Sequence, residues 1–369
     1  ENAFVFPHEH KRKKQRTSQF NEQESEAVEN HKKIRDILAT STLHIVSLGK
    51  KSGYFKEKIK DSCPGKYIYI YTVHIVDCLF FCIEKDFNPD KLFSSHVVEH
   101  ASSSPSLVHL QDGWYILPPS TTYLMSDDLS LHPLVDHVQS KGSFDVVVLD
   151  PPWYNKSAKR SGKYSFLSLW QIKSLPVPRL LSDQCLVVVW VTNKPKYINF
   201  TRGELFTHWS IEYLAEWHWV KVTRTGELVV DFDSPHKRPY ETLILGRYNS
   251  SARYCNSEQC NVKSSEINAD SIVDNSYDDC TSTVKDRLDD NGLPCDNNKH
   301  RKPIPDHLVI CSVPCQIHSR KPHLQDILAE FVCPDAKCLE MFARNLTTGW
   351  TSWGNEVQIA IKCIRFTFP

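Results

Sequence analysis

The sequence predicts an α/β fold, a mostly parallel central sheet covered by helices, with a smaller N-terminal accessory domain. Three observations predict it. The runs Phe144-Asp145-Val146-Val147-Val148-Leu149 and Cys185-Leu186-Val187-Val188-Val189-Trp190-Val191 lack polar alternation, as strands buried on both faces do. Segments of helical character separate such runs from about Trp114 onward. An acidic residue, Asp150, directly follows the first of these strands, where open α/β sheets place their chemistry.

The bulk properties set limits. The 369 residues suffice for two domains or one large domain with insertions, and the formal charge of zero gives no whole-molecule field toward nucleic acid or membrane. The chain opens at Glu1 rather than methionine, which fits a fragment. No apolar run reaches the length of a signal peptide or a membrane span. Thirteen cysteines, an odd number with no framework spacing, point to a reducing compartment. The close pairs Cys78/Cys82, Cys311/Cys315 and Cys333/Cys338 lack the two-residue spacing of a zinc knuckle. They read as buried thiols, and no metal site is expected.

Residues 1–22 form a polar tail whose cluster Lys11-Arg12-Lys13-Lys14-Gln15-Arg16 reads equally as an import signal or phosphate-binding arm and as a solvated tail. Residues 23–110 are assigned to the accessory domain. It holds a helix from about Glu24 to Leu43, on Ala27, Ile34, Ile37 and Leu38, then strands over 66–73 and 75–83. Residues 111–369 form the main domain. Its strands are expected at 114–117, 144–149, 185–191, 215–220, 241–245, 307–311 and 338–342, with a final one or two within 356–368. Its helices are expected at 131–138, 197–209 and 324–332, with a short one in 169–181 broken by Pro176 and Pro178. The stretch from about 250 to 302 is rich in Ser, Asn and Asp and poor in apolar residues. It reads as a disordered acidic insertion, unable to bury enough surface to offset its ordering entropy.

The chemistry centres on Asp150-Pro151-Pro152-Trp153. Two prolines cannot extend a ladder, so the strand stops there. Asp150 and a neighbouring proline carbonyl can both accept hydrogen bonds from one amino group, and Trp153 offers a flat apolar face for a ring. That suits an exocyclic amine on a planar base. An Asp-Pro turn alone commonly just closes a strand; the four residues after a buried strand are far more specific. No Gly-x-Gly-x-x-Gly and no Walker loop occurs, so cofactor binding falls to other strand ends. Arg344, Asn345 and Asn355 together offer donors and acceptors for ribose hydroxyls and a carboxylate. The loop from Asn155 to Tyr164 carries Lys156, Lys159, Arg160 and Lys163. It reads as a phosphate clamp with Tyr164 or Phe166 packed on a base, in preference to a solvated loop. His236, Lys237 and Arg238 are candidates for the opposite wall. For at least one of Trp217 and Trp219, core packing is the safer reading.

Asp150-Pro151-Pro152-Trp153, Trp190-Val191-Thr192, His318-Ser319-Arg320-Lys321-Pro322 and Leu339-Glu340-Met341-Phe342-Ala343-Arg344 together resemble the eukaryotic N6-adenine methyltransferase family. The stretches 155–161, 215–221 and 349–356 are similar to its methyltransferase-like protein 4 subgroup. The resemblance covers about Trp114 to Glu356, apart from the acidic insertion. It implies a circularly permuted Rossmann-like methyltransferase using S-adenosyl-L-methionine. It places the amino group on Asp150 and the Pro151 backbone, within the motif completed by Pro152 and Trp153. It sets Lys321 between the cofactor carboxylate and the substrate, and Arg344 and Asn345 at the ribose with Asn355 and Glu356 close by. Ser126 and Asp127 would border the cofactor adenine. Glu241 would lie near the target base or, alternatively, pair with Arg238.

The implied activity is methylation of adenosine N6 in RNA, with internal 2′-O-methyladenosine of small nuclear RNA the substrate associated with the subgroup. A DNA N6-adenine methyltransferase and an inactive RNA-binding partner subunit are the alternatives; the intact Asp150 motif weighs against the second. The expected partner is single-stranded or loop RNA, or DNA, with no membrane and no evident obligate protein partner. The expected compartment is the nucleus, with cytoplasm and mitochondrion as further candidates. Neutralising Lys156, Lys159, Arg160 and Lys163 together should weaken RNA binding and flatten its salt dependence, by about 0.7 in slope for each lost phosphate contact. Titrations at several salt concentrations check this, and an unchanged slope would remove the loop from the phosphate path.

Overall fold

The computed structural model describes residues 22–55, 82–83, 96–110, 113–154, 166–234, 237–251, 302–315 and 320–355. The expected strand at 66–73, most of that at 75–83, the basic loop from Asn155 to Tyr164, His236, most of the insertion, Glu356 and the final strands lie outside these residues.

In chain order the elements begin with α1 (Glu22–Lys51), β1 (Cys82–Ile83), β2 (Val98–His100), β3 (Ser106–Leu110), β4 (Gly113–Leu117) and β5 (Thr121–Met125). Next come α2 (His132–Lys141), β6 (Phe144–Leu149), α3 (Leu169–Lys173), β7 (Leu181–Val191) and α4 (Pro195–Asn199). A π-helical segment, Phe200–Leu205, links α4 to α5 (Phe206–His208). Then follow β8 (Ile211–Lys221), β9 (Tyr240–Tyr248), β10 (Val309–Ser312), α6 (Gln325–Leu328), β11 (Cys338–Met341) and β12 (Trp350–Gly354).

Nine strands form one sheet in the order β10-β8-β9-β7-β6-β11-β12-β5-β2. The run β7-β6-β11-β12-β5 is parallel throughout, while β9 is antiparallel to both neighbours and β2 to β5. β6 and β11 pair in register although β6 comes far earlier in the chain. β1, β3 and β4 make a separate small sheet.

Why the apolar runs lack alternation is visible in the layers. Val147 and Leu149 of β6 face a core filled by Leu134 and Val138 of α2, Ile172 of α3 and Phe200. Val146 and Val148 face the opposite core, with Trp190, Trp217, Leu328 and Phe331. A strand covered on both faces needs apolar side chains at odd and even positions alike. At the N-terminal edge the Asp145 carboxylate ties three strands together. It accepts from Ser182 Oγ at 2.9 Å and from the Lys337 backbone N–H at 2.9 Å.

Two elements from the stretch assigned to the accessory domain belong to the main body. β2 is the outermost strand of the large sheet. α1, longer than its apolar pattern indicated, packs its Leu38 and Val46 on Val220, Val222 and Tyr240. It is fixed there by a fork from Arg35 Nε and Nη2 to Asp233 Oδ1 and Oδ2, at 2.9 and 2.7 Å. The His31 ring adds a 3.1 Å contact from Nδ1 to the Tyr240 hydroxyl. No helix of the described residues is long and apolar enough to cross a membrane.

Because β9 runs antiparallel, its C-terminal end lies at the edge of the sheet opposite to Asp150. Arg247 near that end donates to the Gln184 carbonyl at 2.9 Å, close to the start of β7. Residues 251 and 302, which flank the undescribed 252–301, both emerge there. Ser250 Oγ binds Asp183 at 2.7 Å, and Lys302 shares a surface cleft with Gln184 and Arg247.

At the other edge, Gly354 closes β12 against the turn after β11. A Cβ there would sit 2.6 Å from the Ala343 carbonyl oxygen and 3.0 Å from its nitrogen. The close approach permits the 2.8 Å hydrogen bond from Ala343 N–H to the Trp353 carbonyl. Gly354→Ala should therefore lower stability by about 1–3 kcal/mol through overpacking against backbone. Thermal denaturation of the variant measures it.

Candidate active site

The C-terminal ends of β5, β12, β11, β6 and β7 share one edge of the sheet, and β9 starts there. That edge gathers Ser126 and Asp127, Asn355, Arg344 and Asn345, Asp150 and Glu241, as the rule for open α/β sheets requires. Ser126 and Asn355 are at the ends of paired strands; Ser126 N–H donates to the Gly354 carbonyl at 3.3 Å, and its Oγ accepts from Asp128 N–H at 3.0 Å. Asp150, Lys321, Arg344 and Asn345 line a common cavity, which Ser126, Asp127 and Asn355 do not.

Strand parity aims Asp150. Val146 and Val148 face the core beneath α6, so the next even position, Asp150, continues on that side among Val148, Trp190, Glu340 and Trp350. Its backbone N–H is tied to the Met341 carbonyl at 3.2 Å. Its side chain begins an alternating chain of charges. Lys321 Nζ lies 3.2 Å from Asp150 Oδ1 and 3.0 Å from Glu241 Oε2. Lys221 in turn binds Glu241 Oε1. The Lys321 ammonium also sits 5.6 Å from the centroid of Trp190, and Lys221 lies over Trp219 at 4.8 Å.

Burial is the largest influence on Asp150, Glu241 and Lys321, and the neighbours decide the outcome. Burial pushes the Asp150 carboxyl up; Lys321 pulls it back, Glu241 pushes it further and Arg344 pulls it down, leaving it raised. Burial opposes ionisation of Glu241 too, yet the ammonium groups of Lys321 and Lys221 outweigh it and hold the pKa at about 2. Lys321 stays protonated because Asp150 and Glu241 overcome its desolvation. Glu340, one turn of the pleat before the β11 terminus, has its pKa raised to about 7 by burial and then by the Asp150 charge.

Several sequence expectations change. Trp153 is not an open face: it is only 8% exposed, packed on Tyr197 at 4.9 Å, and its indole N–H donates to the Trp190 carbonyl at 2.8 Å. The two prolines carry the chain across the strand end and deliver Trp153 to the core opposite Asp150. The proline carbonyls are not idle either. Pro151 accepts from Trp153 N–H at 2.8 Å and Pro152 from Leu167 N–H at 3.1 Å, so each keeps one lone pair. Arg238 does not pair with Glu241; its Nη1 donates to the Phe232 and Ser234 carbonyls, at 2.9 and 2.6 Å, and closes its own loop. Lys237 is exposed. Of the two tryptophans on β8, Trp217 is core, donating to Pro305 and packed on Phe331, whereas Trp219 lines the cavity.

Sequence reasoning missed four residues. Asn193 donates to the Tyr240 carbonyl at 2.6 Å and accepts from Thr242 Oγ1 at 3.0 Å, clamping both neighbours of Glu241; nothing local marks it. Glu340 falls in a predicted strand and within a family motif without a role of its own, though an acid in a buried strand is itself a signal. His323 contacts Asn345 Nδ2 at 3.1 Å through Nε2. Arg320 lines the cavity with Nε and Nη2 buried and without a hydrogen-bond partner.

Comparison with known proteins bears on this arrangement. Residues 144–278 and 258–356, which contain every strand from β6 to β12, match the MT-A70 family. The chain is 37% identical over 366 residues to the N(6)-adenine-specific methyltransferase METTL4 of Homo sapiens, covering 94% of this chain and 69% of that protein.

The chain belongs to the MT-A70 family.

That is the N6-adenine methyltransferase family its motifs resemble, and as an MT-A70 member it is an enzyme. Other relatives differ in the polymer their names specify. The N6-methyladenosine RNA methyltransferase MTA1 of Pyricularia oryzae is 30% identical over 277 residues, 73% of this chain and 61% of its own. The DNA N6-methyl methyltransferase of Caenorhabditis elegans is 27% identical over 263 residues, 70% and 58%. α1 and β2 precede the MT-A70 match altogether.

Glu340 gives the site a pH signature. Its folded pKa of about 7 lies above the ordinary 4.5, so the folded state binds the proton more tightly. The resulting stability is fully present below the ordinary value and is lost as pH rises through about 7. Glu340→Gln should remove that dependence, worth on the order of 3 kcal/mol, and gain most over wild type near pH 8. Melting curves of both proteins between about pH 5 and pH 8 decide it.

Proposed function

We propose that the protein transfers a methyl group from S-adenosyl-L-methionine to N6 of adenosine in RNA, with internal 2′-O-methyladenosine of small nuclear RNA as the substrate. The observation that carries the reading is Asp150. Its carboxylate closes a buried parallel strand and faces a cavity that Lys321, Arg344 and Asn345 also line. The residues fit such a donor. Arg344, Asn345 and Thr347 supply polar groups for a ribose, Trp190 and Trp350 supply apolar walls, and Arg320 and Lys321 bring positive charge to the lining. When bound, the donor supplies an electrophilic methyl on a sulfonium.

The chain's own residues do the rest. The adenine amino nitrogen is a poor nucleophile because its lone pair is conjugated with the ring. Lys321 engages Asp150 Oδ1, leaving Oδ2 to accept one amino hydrogen. The remaining lone pair of the Pro151 carbonyl accepts the other. Two acceptors favour a tetrahedral nitrogen and free its lone pair. As nitrogen becomes positive, the fixed Asp150 carboxylate stabilises that charge in a site shielded from water. Its raised pKa suits it to take the departing proton, with water as the other acceptor. Lys321 would oppose a cationic nitrogen were its charge not balanced by Glu241, itself balanced by Lys221. Holding both reactants in line removes the orientation cost of a two-substrate step. A paired base must leave its duplex to reach the pocket, which favours single strands and loops.

RNA is supported by the names of the MTA1 relatives and by the subgroup resemblance. DNA is the second reading, favoured by the relative named as a DNA N6-methyl methyltransferase. Mass spectrometry of adenosines after incubation with labelled donor and matched RNA and DNA oligonucleotides, with and without a 2′-O-methyl group, separates them.

Asp150→Asn tests the mechanism. The amide is nearly isosteric, and Lys321 keeps Glu241 as a partner, so the fold and donor binding should persist. It cannot neutralise a positive nitrogen, and its NH₂ opposes a donor with a donor. Turnover should fall by about a hundredfold to a thousandfold or more, about 3–4 kcal/mol, with a much smaller change in RNA affinity. Single-turnover methylation measures this; a rate within a few-fold of wild type would refute the assignment.

A further inference from the structure

Among the described residues, the most exposed large apolar side chain is Trp170, at 74%. Phe166, on the other side of the Ser168 cap, is exposed too, at 46%. Two aromatic rings left in water within one short segment mark a binding surface more than chance exposure. The exposure is built in. Ser168 Oγ accepts from Gln171 N–H at 3.2 Å, and Gln171 Oε1 accepts from Ser168 N–H at 2.9 Å, which fixes the start of α3. Ile172 sits in the core and sets the rotation of the helix, so Trp170 falls on the opposite side.

The segment is tied to the residues that follow Asp150. Leu167 N–H donates to the Pro152 carbonyl at 3.1 Å, and the Phe166 ring meets the Tyr154 ring edge-on at 4.8 Å. Chain geometry therefore keeps the Trp170 Cα within about 25 Å of that of Asp150. α3 packs on the core that holds Trp153, whereas the Asp150 cavity opens on the other face. Trp170 thus stands across the edge of the sheet from the cavity. A base held at Asp150 cannot reach it, but a neighbour on the same strand can.

Charge identifies the occupant. From Pro151 to Gly203 the one carboxylate is Asp183, and it lies at the opposite edge of the sheet, bound to Ser250. Lys173 closes α3, and the exposed Lys194 and Lys196 stand at the head of α4, on the same face. Lys194 Nζ reaches the Tyr154 carbonyl at 3.4 Å, which places its charge beside the aromatic segment. Lysines without carboxylates suit a polyanion, and aromatic rings among them are the make-up of a single-strand track. A second copy of this chain would bring the same basic surface to itself, and like charges oppose that pairing.

We infer that Trp170 is a stacking platform for a base next to the target adenosine in a single strand. The inference rests on the nucleic-acid reading above and extends the site to a neighbouring nucleotide. It holds for RNA and DNA alike, because every base has a π-face.

The test titrates single strands carrying one adenosine, as RNA and as DNA, against the wild type, Trp170→Ala and Trp170→Tyr by fluorescence anisotropy. In a second series an abasic unit replaces each nucleotide around the adenosine in turn. Trp170→Ala should bind the better of the two intact strands about 5- to 100-fold more weakly, and Trp170→Tyr should recover most of that loss. One abasic position should weaken the wild type by a similar factor and leave Trp170→Ala unaffected, since platform and base act as a pair. In turnover the loss should appear in KM with kcat unchanged. Circular dichroism checks that each variant is folded. Unchanged affinity of Trp170→Ala would overturn the inference. So would equal responses of wild type and variant at every abasic position, which would make the loss indirect. A change in sedimentation of the protein alone, at unchanged affinity, would make Trp170 a protein contact instead. A wild type that binds neither polymer removes the nucleic-acid reading itself, and the inference with it.

Discussion

The placement of Lys321 between Asp150 and Glu241 is the contact on which the site depends. A buried carboxylate alone would take up a proton, and a buried ammonium alone would lose one. Alternation of charge through Lys221, Glu241, Lys321 and Asp150 lets all four groups lie in or beside one cavity wall. The four come from distant parts of the chain: the ends of β6 and β8, the start of β9 and the segment before α6. Removing one member strands a charge, so the chain of contacts is stabilising mainly in the sense that no part of it can be deleted cheaply. It also fixes which oxygen of Asp150 remains for a substrate.

The sheet supplies the precision. Asp150 is tied through its backbone to β11, and Glu241 is clamped from both sides by Asn193 at the end of β7. Phe342 turns out of β11 in the left-handed region, with φ of 60°, a costly conformation for a bulky residue. Its ring packs on Trp353 at 4.8 Å, which holds that turn and the Arg344 that follows. Rigid strands thereby carry irregular ends, and the irregular ends carry the chemistry.

Much of this was legible. β6 was readable residue for residue, because a run of β-branched residues closed by two prolines has one sensible interpretation. The motif order marked the edge of the sheet on which Asp150, Arg344 and Asn345 meet. What escaped depends on contacts remote in sequence. Trp153 looked like a free ring because its partners, Tyr197 and the Trp190 carbonyl, belong to other elements. For Glu241 the sequence offers a place near the target base or a pairing with nearby Arg238, whereas β8 and the segment before α6 bring it Lys221 and Lys321. The π-helical segment and the extra turns of α1 have no local signature, since packing rather than periodicity sets them. Arg320 stands beside a lysine with the same charge, and the partners of each, two carboxylates for Lys321 and none for two of the Arg320 nitrogens, are set by contacts remote in sequence.

The exits at residues 251 and 302 are set apart from the chemistry by the length of the sheet. Both leave it at the edge opposite Asp150, near Gln184 and Arg247. One edge of the sheet thus serves as the anchor of a long excursion of the chain, and the other is left to Asp150, Arg344 and the start of β9.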